Sequence, residues 1–93
     1  LLPGALDYAS MGLVPEGTYR NKAYQKEETF LEPEISEAME DLLFDPQTSG
    51  GLLLAIAEER GAELLRRLAD AGVTAAAVGR VRPRGPRRIV LKP

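Results

Sequence analysis

The residues best able to do chemistry lie between Phe44 and Leu53, where the chain reads Phe-Asp-Pro-Gln-Thr-Ser-Gly-Gly-Leu-Leu. An Asp-Pro pair is followed by two hydroxyls, Thr48 and Ser49, and two glycines, Gly50 and Gly51. Glycine permits positive φ and close backbone approach, and successive free N–H groups form concavities for anions. Asp45, Thr48, Ser49, Gly50 and Gly51 are therefore the candidate contact residues, for a nucleotide or phosphate or for an adjoining domain. Phosphate cradles ordinarily open a helix, whose N-terminal N–H groups and dipole favour the anion. This stretch instead runs into the apolar segment Leu52–Ala57, and it lacks the Gly-Lys-Ser/Thr of a phosphate loop. The plainer alternative is a helix stop followed by a strand start, with Asp45 turned away from helix by the proline after it.

Arg20 and Asn21 are the other residues suited to touching a ligand or partner. No catalytic pairing accompanies them, because the chain has no cysteine and no histidine. It therefore lacks the usual thiolate nucleophile and the commonest general base and metal ligand. Glu37, Glu40 and Asp41 could suggest magnesium, but no opposing ligand set is visible and a solvated helix face accounts for them. The sequence thus predicts no catalytic residue and no metal site within this chain.

Asp-Pro-Gln-Thr-Ser-Gly-Gly-Leu-Leu, from Asp45, resembles the signature of the C-terminal region of selenide, water dikinase (selenophosphate synthetase). Pro15-Glu16-Gly17-Thr18-Tyr19-Arg20-Asn21 resembles the same family's Pro-x-Gly-Thr-x-x-Asn segment, in the family's order and at about its spacing. The resemblance implies that residues 1–93 are part of the C-terminal domain of a longer enzyme. That enzyme would convert ATP, selenide and water to selenophosphate, AMP and phosphate. ATP and magnesium would be its cofactors, neither held by this fragment alone. A catalytic cysteine or selenocysteine, a lysine and metal-binding aspartates would lie upstream of the matched region. The implied partners are the N-terminal ATP-binding domain of the same enzyme, a second copy in a homodimer, and the small-molecule substrate selenide. The alternatives are a non-catalytic scaffold or dimerisation module, and the C-terminal domain of a related ATP-dependent enzyme. The latter would be of aminoimidazole ribonucleotide synthetase type, in purine biosynthesis, or of hydrogenase-maturation type.

Ninety-three residues suffice for one small domain or part of one. The first residues, Leu1-Leu2-Pro3, include no initiator methionine, which fits a fragment. No apolar run reaches membrane-span length, so no membrane partner and a cytoplasmic location are expected. The net charge of -2 is unevenly spread. Glu27–Asp45 is acidic without Lys or Arg, and Arg80–Pro93 is basic without Asp or Glu. The basic tail has no aromatic residue for base stacking, so an acidic neighbour or a solvated strand pair is expected rather than nucleic acid.

The elements around the loop follow from periodicity. Pro3–Gly12 suits a short helix, and Pro15–Glu32 reads as irregular, leaning on another part of the protein or mobile. Pro33–Phe44 reads as a helix with Pro33 at its first position and a stripe of Ile35, Ala38, Met39, Leu42 and Leu43. Leu52–Ala57 reads as a central strand, and Glu58–Ala71 as a helix with Leu64, Leu65 and Leu68 on that sheet and Gly72 closing it. Thr74–Arg82 and Arg87–Leu91 complete the pattern as a hairpin, with a right-handed crossover joining the first two strands. The predicted fold is α+β: a small mixed β-sheet with helices mainly on one face, its second half strand-helix-strand-strand. Residues 1–32 would be a short helix plus an irregular segment, and 33–93 helix-strand-helix-strand-strand.

Overall fold

A computed structural model describes residues 1–93, and the chain is α+β, with four α-helices and a two-stranded parallel sheet. It divides into two units, Leu1–Gly50 with Arg84–Pro93, and Gly51–Pro83.

In the first unit, Gly4 (φ 78°) leads into α1, Ala5–Ser10, as expected from the sequence. Gly12 ends the helix at φ 77°, with the Gly12 and Leu13 N–H groups returning to the Ala9 and Tyr8 carbonyls at 2.9 and 3.0 Å. That closure satisfies carbonyls which helix ends leave unpaired. The buried Ala9 lies on α1, which packs against α3, Glu37–Leu43. Ser36 caps α3 by accepting the Met39 N–H on its hydroxyl at 3.2 Å. The helix therefore starts later than Pro33. Glu32–Ile35 forms a turn closed by the Ile35 N–H on the Glu32 carbonyl at 3.0 Å, and the serine supplies the cap that Pro33 cannot.

Pro15–Glu32 corrects the expectation of an irregular stretch. Glu16–Gln25 is α2 and Thr29–Leu31 is β1. Helix α2 shows no apolar stripe because its inward side is made from the buried Thr18 with half-buried Gly17 and Lys22. Strand β1 pairs in parallel with β2, Ile89–Leu91, in the register Thr29↔Ile89, Phe30↔Val90, Leu31↔Leu91. The expected antiparallel hairpin of Arg87–Leu91 with Thr74–Arg82 does not form. Charge helps to explain the choice of partner. Arg88 meets Glu28 at 3.1 Å, Lys92 meets Glu32 at 2.7 Å, and the Arg87 guanidinium donates to the Glu27 carbonyl. The acidic neighbour of the basic tail is thus the acidic stretch of the same chain.

In the second unit a 3₁₀ turn, Glu58–Arg60, runs into α4, Gly61–Asp70. The expected Glu63–Arg67 pair is present at 3.9 Å, beside Arg66–Asp70 at 3.0 Å. Gly72 takes φ 74° and closes the helix as predicted, with the Val73 N–H on the Leu68 carbonyl at 2.8 Å. Leu52–Ala57 and Thr74–Arg82 are not strands, and no crossover joins them. Leu52 and Leu53 are 90% and 86% exposed. A central strand needs ladder partners on both edges and cover on both faces, and the unit that holds this segment contains no strand to pair with it. Leu64, Leu65 and Leu68 are half-buried, and their own unit contains no strand on which they could pack as expected.

Candidate functional site

The loop grows out of the end of α3. Its carbonyls near Phe44 lack intrahelical partners, as at any helix C-terminus. The Asp45 N–H turns back to the Leu42 carbonyl at 3.3 Å, and the Asp45 carbonyl accepts the Gln47 N–H at 2.8 Å. Asp45 and Pro46 are half-buried, whereas Thr48, Ser49 and Gly50 are exposed. Gly51 takes φ 37°, in the region that favours glycine, and stands at the start of the second unit.

The two sequence motifs meet in the first unit. Asn21 Nδ2 donates to the Phe44 carbonyl at 2.9 Å. Gly17 faces Pro46 so closely that a Cβ there would stand 2.8 Å from the proline Cγ. Thr18 is fully buried, and its hydroxyl has no hydrogen-bond partner. Lys22 reaches α3, with its ammonium 2.6 Å from Asp41 Oδ1 and 3.2 Å from Glu40 Oε2. Burial alone lowers the pKa of Lys22. Its hydrogen bonds to Asp41 and Glu40, with their negative charge, outweigh that and hold the group above the ordinary lysine value of 10.5.

Asn21 and Asp45, proposed separately from the sequence, line one open hollow of about 360 Å³ with Tyr24, Gln25, Leu43 and Phe44. Arg20 is exposed on α2 and does not line it. Gly17 and Thr18 stand in the quoted Pro-Glu-Gly-Thr segment, but their packing against the second motif and α3, with that of Lys22, was not read from the sequence. The signal was available in their spacing, since Gly17 and Asn21, like Thr18 and Lys22, are four apart and share a helix face once residues 16–25 are helical.

The arrangement does not fit a magnesium site. Glu40 and Asp41 both turn to Lys22 rather than converging on an ion, and no group of three or more acidic, histidine or cysteine side chains gathers elsewhere. No helix is long and apolar enough to cross a membrane.

A helix-clamped loop on a small α+β base defines the class of this chain as far as geometry goes. Its relatives in sequence are more specific. It is 45% identical over 92 residues to a selenide, water dikinase of Clostridium botulinum (strain Alaska E43), covering 99% of this chain and 27% of the relative. It is 53% identical over 68 residues to the selenide, water dikinase of Caldanaerobacter subterraneus, covering 73% of this chain and 20% of the relative. With that of Shewanella baltica it shares 54% identity over 65 residues, 70% of this chain and 18% of the relative. By sequence the chain belongs with the selenide, water dikinases, and it spans about a quarter or less of their length. No family model and no solved structure matches it.

Proposed function

We propose that this chain is the C-terminal part of a selenide, water dikinase, an enzyme that makes selenophosphate, AMP and phosphate from ATP, selenide and water. The observation that carries the reading is 45% identity along 99% of the chain to a protein of that name of which it spans 27%. The chain's own part is to present the Asp45–Gly51 loop on a folded base, toward bound nucleotide or the N-terminal ATP-binding domain. The catalytic groups lie elsewhere in the enzyme. There is no cysteine or histidine here, Lys22 is engaged by Asp41 and Glu40, and Lys92 by Glu32. Phosphoryl transfer needs a positive clamp on the phosphates and an oriented nucleophile, and these residues supply neither.

The test is direct. The purified chain, incubated with ATP, magnesium and selenide, is expected to form no AMP above the protein-free control. The full-length enzyme is expected to form it in a selenide-dependent manner. In that enzyme, replacing Thr48 and Ser49 by alanine is expected to lower turnover more than thermal stability. Selenide-dependent AMP from the chain alone overturns the assignment of catalysis to other parts of the enzyme. Unchanged turnover and ATP affinity in the double variant reduce the loop to a structural turn.

A further inference from the structure

We infer that α2 is the positioning element for the Asp45–Gly50 loop, with Gly17 and Asn21 setting the path on which it leaves α3. The significance for catalysis rests on the function proposed above. The geometry stands independently. Asp45 is gripped on both sides. Before it, the Phe44 carbonyl is held by Asn21 Nδ2 at 2.9 Å. After it, the Pro46 ring fills the space that a side chain on Gly17 would need, with Cγ and Cβ 2.8 and 3.3 Å from the position of a glycine Cβ. A proline ring is tied into the backbone, so it cannot swing aside as a flexible side chain would. Displacing the ring therefore displaces the chain. Lys22 joins α2 to Glu40 and Asp41 on α3 below this contact, which fixes the two helices whose meeting creates it. Thr48, Ser49 and Gly50 remain exposed beyond the grip. The loop is thus anchored at its root by α2, with the Thr48 and Ser49 hydroxyls beyond the anchor.

The experiment follows the backbone amides of Gln47–Gly50 by NMR in the chain carrying Gly17→Ala, Pro46→Ala, both together, or Asn21→Asp. Asn21→Asp keeps the side-chain shape and removes the donor. Gly17→Ala is expected to shift these amides while those of α4 stay in place, and Pro46→Ala is expected to abolish most of that effect. A coupling of this kind is what contacting residues show and distant ones do not. Asn21→Asp is expected to shift the same amides with little change in melting temperature, because Asn21 lies at the surface. In the full-length enzyme, Gly17→Ala is expected to lower kcat, by up to roughly 10²-fold if the loop shifts by about 1 Å, leaving the KM for ATP in place. Shifted amides with unchanged kcat uphold the positioning and overturn the functional reading of the loop. Unmoved amides in Asn21→Asp, with no coupling between Gly17 and Pro46, overturn the positioning and leave ordinary helix packing. If Gly17→Ala fails to fold, Asn21→Asp and the doubly substituted chain decide.

Discussion

Replacing Lys22 by methionine keeps most of the aliphatic stem and removes only the charge that Asp41 and Glu40 share. Exposed ion pairs contribute about 0–1 kcal/mol, whereas breaking a fully buried pair costs about 3–5 kcal/mol because the remaining charge is stranded. This pair lies between those limits, with side-chain exposures of 19% for Lys22 and 10% for Asp41. A loss of about 2 kcal/mol is therefore expected. At an m-value near 1 kcal/mol/M for so small a unit, the urea midpoint falls by about 2 M. The assay should follow signals of the first unit, such as the Thr18 and Thr29 methyl resonances, so that α4 does not contribute. The pH dependence has a definite sign. Because Lys22 is held above its ordinary value, its stabilisation is complete below the ordinary value of 10.5 and is lost as pH climbs through the raised folded value. The difference between the parent chain and Lys22→Met should be flat at neutral pH and shrink in strong alkali. Adding Asp41→Leu should restore much of the loss, since the stranded charge is then gone. An unchanged midpoint for Lys22→Met would refute the reasoning, as would a difference that grows above pH 10.5.

Ser36→Ala removes the hydroxyl that accepts the Met39 N–H, and should cost about 1 kcal/mol, read as a lower melting temperature. Thr18→Val removes a buried hydroxyl without a partner at nearly constant volume. It is expected to raise stability by about 1 kcal/mol, and a loss of stability would mean that the hydroxyl finds a partner in solution.

Helices that carry an apolar stripe were legible in the sequence. The stripes and end signals around α1, α3 and α4 placed all three helices, and Gly72 was recognisable as the closing glycine. Helix α2 was not legible, because it packs through a missing side chain at Gly17, a threonine and an ammonium rather than through leucines. The β1–β2 pairing was equally hidden. Its partners are distant in sequence, and Thr29–Leu31 is too short for alternation to show. Leu52–Ala57 erred the other way: its composition suits a central strand, but ladder partners are a property of surroundings that a local window does not contain. In the candidate site, Asp45 and Asn21 were chosen for their chemistry. Their place in one hollow was not foreseeable, since it depends on α2 being helical.

The parallel ladder also sets an order of events during folding. The bond from Arg87 to the Glu27 carbonyl spans 60 residues, so closing the sheet costs roughly 3.5 kcal/mol of loop entropy beyond a constant. On the ribosome, at about 5–20 residues per second, β1 emerges roughly 3–12 s before its partner. During that interval its edge is open, and the unpaired carboxylates Glu28 and Glu32 flank it. Charges of one sign beside an open edge discourage pairing with other strands until Arg88 and Lys92 arrive. Because closure entropy grows only logarithmically, doubling the length between the strands adds only about 0.6 kcal/mol. A change in length between residues 51 and 83 is therefore expected to cost the β1–β2 pairing little. Loss of residues 84–93 would leave the first unit without its second strand.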